Sequence, residues 1–475
     1  MKDLKEKTSQ SEKPMKKEDV TQNKMGTAPM MKLIASMSLP AMFSMLVQAL
    51  YNIVDSMFVA KIGQDALNAV TLAFPIQMLI ISVAVGTAIG INSLVSRKLG
   101  EKDYKTANSA ASHGLILAAF TGVIFAILGI FCTKPFFNAF SDNPEIVRMG
   151  CDYIYVITIC SFSVFLQINI EKTLQATGNM IYPMLFQLSG AITNIILDPI
   201  MIFGLLGCPA MGVRGAAIAT VIGQTVATIF SLIVIFTKSH DVKIQIKGFK
   251  INWHTVKEIY KVGIPSIIMQ SISSFLTAIM NVILKGFSPA AVNVFGVYYK
   301  LQSFVFMPVF GLTHGLMPIL GYNYGAKNRK RLVSALKIGV VVALIIMTLG
   351  TLAFLIFPQN LLMIFSPDAE LLRIGVPALR LISLSFIPAA VGIIGATLFQ
   401  SIGHGTQSLL ISILRQLVLL LPSAYIFSKI GLNFVWLAFP FAEFVTFAVT
   451  LFMIAYVFKK TINVQMPIPK TKKLN

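Results

Sequence analysis

The chain has 475 residues, of which 56% are hydrophobic and only 12% charged, with a mean hydropathy of +0.77. Its apolar residues arrive in long runs rather than amphipathic stripes, which excludes an ordinary soluble domain and points to a polytopic membrane protein. The formal net charge of +20 raises nucleic acid as a partner, yet 29 of the 39 Lys and Arg fall in one alternating set of inter-span segments and tails and 7 in the other set, the asymmetry of a membrane protein with both termini in the cytoplasm.

In chain order, the first segment to about Ala28 mixes Lys with Glu, Asp, Ser and Gln and reads as a disordered tail, too polar for a cleaved signal peptide. Twelve spans are predicted at 33–58, 66–95, 107–131, 148–171, 181–204, 213–237, 259–284, 290–320, 335–357, 371–400, 406–428 and 434–458. The expected fold class is therefore an all-α integral membrane protein. It comprises a tail (1–30), a six-span lobe (31–237), a basic linker (238–258), a second six-span lobe (259–458) and a basic tail (459–475).

The first span, PAMFSMLVQALYNIVDSMFVA, carries Asp55, and an ionisable carboxylate inside a span costs on the order of 3 kcal/mol and marks function. A second reading stays open, because Asp55 lies close to the exit at Lys61 and could sit in the interface. Tyr51, one helical turn away, has its hydroxyl within reach of the same face. The fifth span reads GAITNIILDPIMIFG, with Asn194 and Asp198 on one face and Pro199 expected to open the hydrogen-bond ladder beside the carboxylate. Counting from the outer ends of the first, fifth and sixth spans puts Asp55, Asp198 and Thr220 within roughly 10 Å of one another in depth, which predicts one polar site.

At a displacement of 225 residues the chain matches itself: Pro40 with Pro265, Gln77 with Gln302, Gly86 with Gly311, Gly90 with Gly315, Gly100 with Gly325, Gln175 with Gln400 and Gly178 with Gly403. Near the end the match shifts to 219, joining Gly212 to Gly431 and Gln224 to Glu443. Six is even, so the two halves are parallel repeats about an axis along the membrane normal, an arrangement that puts a substrate site between the lobes. The glycines of SRKLGEKDYKTANSA and GYNYGAKNRKRLVSA are expected to make the tight reversals after the second span of each half.

The second half lacks the carboxylates: Met280 stands opposite Asp55 and Ser423 opposite Asp198. Its in-span charges are Lys300, Arg380, Arg415 and Glu443. Similar depth predicts a salt-bridged cluster of Lys300, Arg380 and Glu443, with structural pairing and substrate contact both open. Gln270 is a further candidate to line a cavity, and some of the 23 Met and 35 Phe are expected to supply adaptable apolar walls. There is no G-x-x-x-x-G-K-[ST] loop, no H-E-x-x-H and no G-x-S-x-G; the histidines are scattered, and Cys132, Cys151, Cys160 and Cys208 have neither metal nor disulfide spacing. No enzyme activity, cofactor or structural metal is expected.

The stretches YNIVDSMFVAKIG, LQATGNMIYPMLFQLSGAITNIILDPIMIFG, GVRGAAIATVIGQ and GLNFVWLAFPFAE together resemble the multidrug and toxic compound extrusion (MATE) transporters, over essentially residues 30–460. The resemblance is to bacterial branches with a cation site in the N-terminal lobe. It implies twelve helices in two lobes in the plasma membrane, and export of cationic or amphipathic small molecules in exchange for protons or sodium, with protons favoured. It places the ion, H+ or Na+, at Asp55, Asn194, Asp198 and Thr220. Tyr51, Gln270, Lys300, Arg380, Arg415 and Glu443 are the substrate-cavity candidates. Other branches keep acidic residues in the seventh and tenth helices, where Gln270 and the uncharged run 384–400 stand here. The bilayer and small molecules are the expected partners, with a monomer as the expected unit and no nucleic acid. The alternative reading is a flippase for lipid-linked saccharides or cell-wall precursors, kept open by Lys300, Arg380 and Arg415.

Overall fold

The structure, a computed structural model, describes residues 23–467 apart from 366–367, so most of the expected N-terminal tail and the end of the C-terminal tail lie outside the described residues. Backbone buried in hydrocarbon must satisfy its own N–H and C=O groups, and each apolar run duly forms a helix. In the first half these are α1 (Lys24–Thr27), α2 (Met30–Ala60), α3 (Gln64–Gly100), α4 (Tyr104–Phe140), α5 (Pro144–Ile159), α6 (Phe162–Ala176), α7 (Ile181–Phe203) and α8 (Gly212–Thr237). In the second they are α9 (Trp253–Lys285), α10 (Pro289–Gly325), α11 (Arg329–Ile356), α12 (Pro358–Met363), α13 (Ala369–Ser383), α14 (Phe386–Ser401), α15 (Gly405–Ile413), α16 (Leu421–Ser428) and α17 (Leu432–Val457). A π-helical turn, Leu414–Leu420, joins α15 to α16.

Among the described residues ten helices are long and apolar enough to cross a membrane, and two bent pairs, each counted as one span, bring the total to twelve. The bent pairs, α5 with α6 at 47° and α13 with α14 at 49°, take the fourth place in each half. Each was one continuous apolar run in the sequence. At the second break the Ser385 hydroxyl donates to the Ile382 carbonyl at 2.6 Å, offering the backbone a partner outside the helical ladder.

The repeat is visible as reciprocal packing between lobes. A side chain at Gly86 of α3 would run into Ile267 of α9, and one at its counterpart Gly311 of α10 into Met42 of α2. Gly90 meets Ile259 and Gly263, as Gly315 meets Ser38 and Met37. Gly100 lies on the Tyr322 carbonyl, and Gly325 on the Arg97 carbonyl. The contacts Gly86–Ile267, Gly90–Gly263 and Gly100–Tyr322 are matched by Gly311–Met42, Gly315–Ser38 and Gly325–Arg97, both residues shifted by the repeat length, the signature of a pseudo-two-fold axis between the lobes. These crossings lie in the halves of α3 and α10 nearest the basic turns and the linker, hereafter the basic end.

The reversals do not use the glycines. Gly100 and Gly325 are the last residues of α3 and α10, kept bare by the lobe crossing, and the left-handed positions fall to Lys102 (φ 61°) and Lys327 (φ 54°). The next helices are capped at equivalent positions, by Asp103 accepting from the Thr106 amide at 3.1 Å and by Asn328 accepting from the Arg331 amide at 3.2 Å. The Thr106 hydroxyl and amide hold the exposed Asp103 carboxyl below the ordinary carboxylate range.

Three expectations change at the basic end. Residues 23–28 are not free chain: they form the short α1, with Met25 fully buried. The linker is shorter than its composition suggested, since α9 begins at Trp253, and it is pinned along α4 by Asn108, Ser112 and His113. Lys172, read as an inside loop residue, lies within α6 at 4% exposure.

Candidate functional site

The N-terminal lobe gathers polar side chains from five helices into an otherwise apolar interior. Asp55 and Tyr51 come from α2, Gln77 from α3, Tyr153 from α5, Asn194 and Asp198 from α7, and Thr220 from α8. Asp198 is completely buried, Asn194 and Thr220 nearly so, and Asp55 partly. The Asn194 amide donates to Asp198 Oδ1 and to Thr220 Oγ1, each at 3.2 Å. Asp55 and Asp198 lie close enough to interact directly, and Tyr51 stands beside Thr220 and the two carboxyls. Behind them Gln77 donates to the Tyr153 hydroxyl at 2.8 Å, and Tyr153 lies within electrostatic reach of Asp55, Asp198 and Tyr51.

Three oxygens in this cluster, Asp55 Oδ1, Asp198 Oδ2 and Asn194 Oδ1, are buried without a hydrogen-bond partner. Buried acceptors are normally satisfied, and two carboxylates in contact repel when both are ionised. All three would be satisfied by a proton or a small cation. The donor set is oxygen only, which fits Na+ and not a thiolate- or imidazole-bound metal, and the described residues contain no group of three or more His, Cys, Asp or Glu able to hold a metal ion. Pro199 lies inside an unbroken α7, so its missing N–H leaves the Ile195 carbonyl without its helical donor instead of opening the helix.

The structure thus brings Asp55, Asn194, Asp198, Thr220 and Tyr51 together as their depths predicted. The sequence does not place Tyr153 or Gln77 at this site, because an isolated tyrosine or glutamine in a span has no pattern that gives its direction.

A second polar group was also missed. Glu171, 3% exposed on α6, accepts from Gln175 and Gln187, each at 2.9 Å, and Lys172 donates to Gln175 at 2.9 Å. Glu171, Gln175 and Gln187 line a small void of about 10 Å³, room for a single water, closed by Ser44 and Met45 of α2, Met180 before α7, Met184 on α7, and His314 of the other lobe. Its sequence signal is a Glu and Gln four residues apart in LQINIEKTLQATGN, a pairing that charges at the end of an apolar run conceal.

In the C-terminal lobe the expected cluster of Lys300, Arg380 and Glu443 does not form. Glu443 pairs with Arg415 at 3.5 Å. Lys300 lies over the Phe365 ring at 5.9 Å, and Arg380, exposed, donates to the Leu355 carbonyl at 3.2 Å. Arg415 sits in the π-helical turn, where Gln416 bonds Ser412 at 2.9 Å and accepts from Ser273 of α9 at 3.4 Å. Gln270 is exposed, one turn before Ser273.

Two parallel six-helix lobes with an ionisable cluster inside one of them define an integral membrane transporter. The MatE family model matches residues 40–200 and 265–426, and the chain belongs to the MatE family. It is 27% identical over 419 residues to the FAD transporter of Shewanella oneidensis, covering 87% of this chain and 92% of that one. It is 25% identical over 424 residues to the multidrug export protein MepA of Staphylococcus haemolyticus, covering 89% and 93%. Among solved structures it is similar to a MOP superfamily transporter from Pyrococcus furiosus, with a TM-score of 0.87, 28% identity and coverage of 93% and 99%. An outward-facing multidrug resistance MATE family transporter gives a TM-score of 0.87, 28% identity and coverage of 92% and 99%. The protein is a transporter, not an enzyme.

Proposed function

We propose that the protein is a secondary active exporter of cationic or amphipathic compounds in the plasma membrane, with its basic end and both termini in the cytoplasm, driven by exchange for protons or sodium at Asp55 and Asp198. The observation that carries this reading is the set of three unpartnered buried oxygens on Asp55, Asp198 and Asn194. A proton shared by the two carboxyls relieves their repulsion, and Asn194 and Thr220 hold the pair in place. One charge crossing about 150 mV supplies ~3.5 kcal/mol, enough for a gradient of a few hundredfold. Alternating access follows from rocking of the two lobes about the pseudo-two-fold crossings.

Glu171 is the group that meets the cationic end of a substrate, at the void between lobes whose methionine walls adapt to different shapes. Arg415, held by Glu443, and Lys300 and Arg380 on other partners form no joint cationic surface, which weighs against the flippase reading. The relation to a FAD transporter makes a flavin the natural second test compound.

Proteoliposomes test the coupling. An imposed pH gradient in sodium-free buffer should drive movement of a fluorescent cation, and the Asp198→Asn protein should not respond. Movement driven by a sodium gradient alone would replace the proton with sodium. Absence of movement under either gradient, with both the cation and a flavin, would refute the reading.

A further inference from the structure

We infer that residues 23–28 act as a latch that clamps the two lobes together at the basic end, and that its release is a step in the transport cycle. The segment touches both lobes through separate anchors. On the N-terminal side, the Asn23 amide donates to the Thr177 carbonyl in the α6–α7 turn at 2.9 Å and to Asp241 of the linker at 2.6 Å, while its oxygen caps α1 by accepting from the Met25 amide at 2.8 Å. On the C-terminal side, the Met25 carbonyl accepts from Asn323 and from Arg331, each at 3.1 Å, and the Ala28 carbonyl accepts from Arg331 at 2.7 Å.

The side chains tell the same story. Met25 has no exposed surface and belongs to a hydrophobic cluster that spans both lobes, with Leu33 and Met180 from the N-terminal lobe and Leu316 and Leu320 from the C-terminal one. It also lies over Gly178, whose left-handed backbone (φ +90°) and missing side chain leave room for it. Gly26 rests on the Tyr322 ring, where a methyl group would already be 3.1 Å away. Tyr322 is the residue whose carbonyl receives Gly100 at the innermost lobe crossing. The lobes cannot separate at this end unless α1 leaves one of its two sets of partners.

A bridge is as weak as either anchor. Asn23→Ala, which breaks the N-terminal side, and Arg331→Ala, which breaks the C-terminal side, should therefore have the same effect, and the double variant should add little to either. A structural role for Arg331 confined to its own lobe would not be reproduced at Asn23. The reporter is Ser93→Cys, at a buried seam position where the serine hydroxyl donates to the Gln400 carbonyl of the other lobe, in a background lacking Cys132, Cys151, Cys160 and Cys208.

In sealed inverted vesicles an impermeant maleimide should label this cysteine about tenfold faster in each latch variant than in the parent. A second measurement does not depend on weakening the protein: cysteines at Gly26 and Tyr322, joined by a short cleavable bis-maleimide, should stop export, and cleavage should restore it. Unchanged labelling in both latch variants, or full export with the tether in place, would overturn the inference. The inference rests on the proposed alternating access with the basic end in the cytoplasm. The two fail separately, because Asp198→Asn should stop transport without accelerating the labelling.

Discussion

Asp55 and Met280 occupy the same place in the two lobes, as do Asp198 and Ser423. Met280 is fully buried in the apolar core of its lobe, and Ser423 turns its hydroxyl to the Leu420 carbonyl at 3.1 Å. Their counterparts are two neighbouring carboxyls, with acceptor oxygens left over. At these two positions one six-helix frame thus holds an apolar side chain and a hydroxyl bonded within its own helix in one lobe, and a pair of carboxyls with unpartnered oxygens in the other. The helices and crossings are shared, so the buried carboxyl pair belongs to particular side chains and not to the fold.

The most direct way to break this comparison is to make the N-terminal lobe resemble its partner. Asp55→Asn and Asp198→Asn should each reduce drug export to background in an accumulation assay, with membrane levels unchanged because removing a charge from a span eases insertion. Normal efflux from either variant at normal expression would remove the distinction between the lobes.

The converse change, Met280→Asp, puts a carboxylate into the C-terminal core without an Asn194 or Thr220 to meet it. It should destabilise the protein by about 3 kcal/mol, read as a lowered thermal unfolding midpoint, and create no second ion response. A variant as stable as the parent would show that the C-terminal interior tolerates charge as readily as the N-terminal one.

Gly90→Val and Gly315→Val probe what the lobes share. Each drives a side chain into backbone of the other lobe, and each should cost about 1–3 kcal/mol and widen the basic end in spin-label distance measurements. Equal effects would support the pseudo-two-fold axis; an effect from one alone would argue against it.

The smallest expected difference lies at the caps. Asp103→Ala and Asn328→Ala should each cost about 1 kcal/mol. Only the Asp103 contribution should depend on pH. Its carboxyl is held below the ordinary range in the folded protein, so its stabilisation is present above the unfolded value and is lost as the pH falls through the folded one. Stability curves of the two variants should therefore converge with the parent in acid for Asp103 and stay parallel for Asn328.

The spans, their number and the repeat were legible because hydropathy is a property of a run of neighbours and a repeat is a property of the sequence itself. The Asp55, Asn194, Asp198 and Thr220 cluster was legible because rise per residue converts position in a span to depth. Depth says nothing about which way a side chain faces, which is why Lys300, Arg380 and Glu443, at one level, were expected to pair and do not. Arg415 reaches Glu443 because the π-helical turn and the packing of α15 against α17 set its direction. Lys172, just past the predicted span 148–171, is buried for a related reason: a charge is a sign of water only until its own helix and a neighbour supply groups such as Gln175, Glu171 and Gln187 to bond it.

Gly100 and Gly325 follow the same division. A glycine before basic residues suggests a turn from the sequence alone, and only the approach of the other lobe's backbone reveals that what matters is the absent side chain. The short segment at 23–28 has too few apolar residues to announce an element. Its helix and the burial of Met25 depend on partners more than 150 residues away in sequence at Thr177, Asp241, Asn323 and Arg331. Sequence by itself determined the helices, the spans and the depth of each charge, since these depend on local composition in a bilayer. Tertiary structure alone decided which polar groups meet, because hydrogen bonds and ion pairs act over about 3 Å and are made between helices whose rotation no single helix encodes.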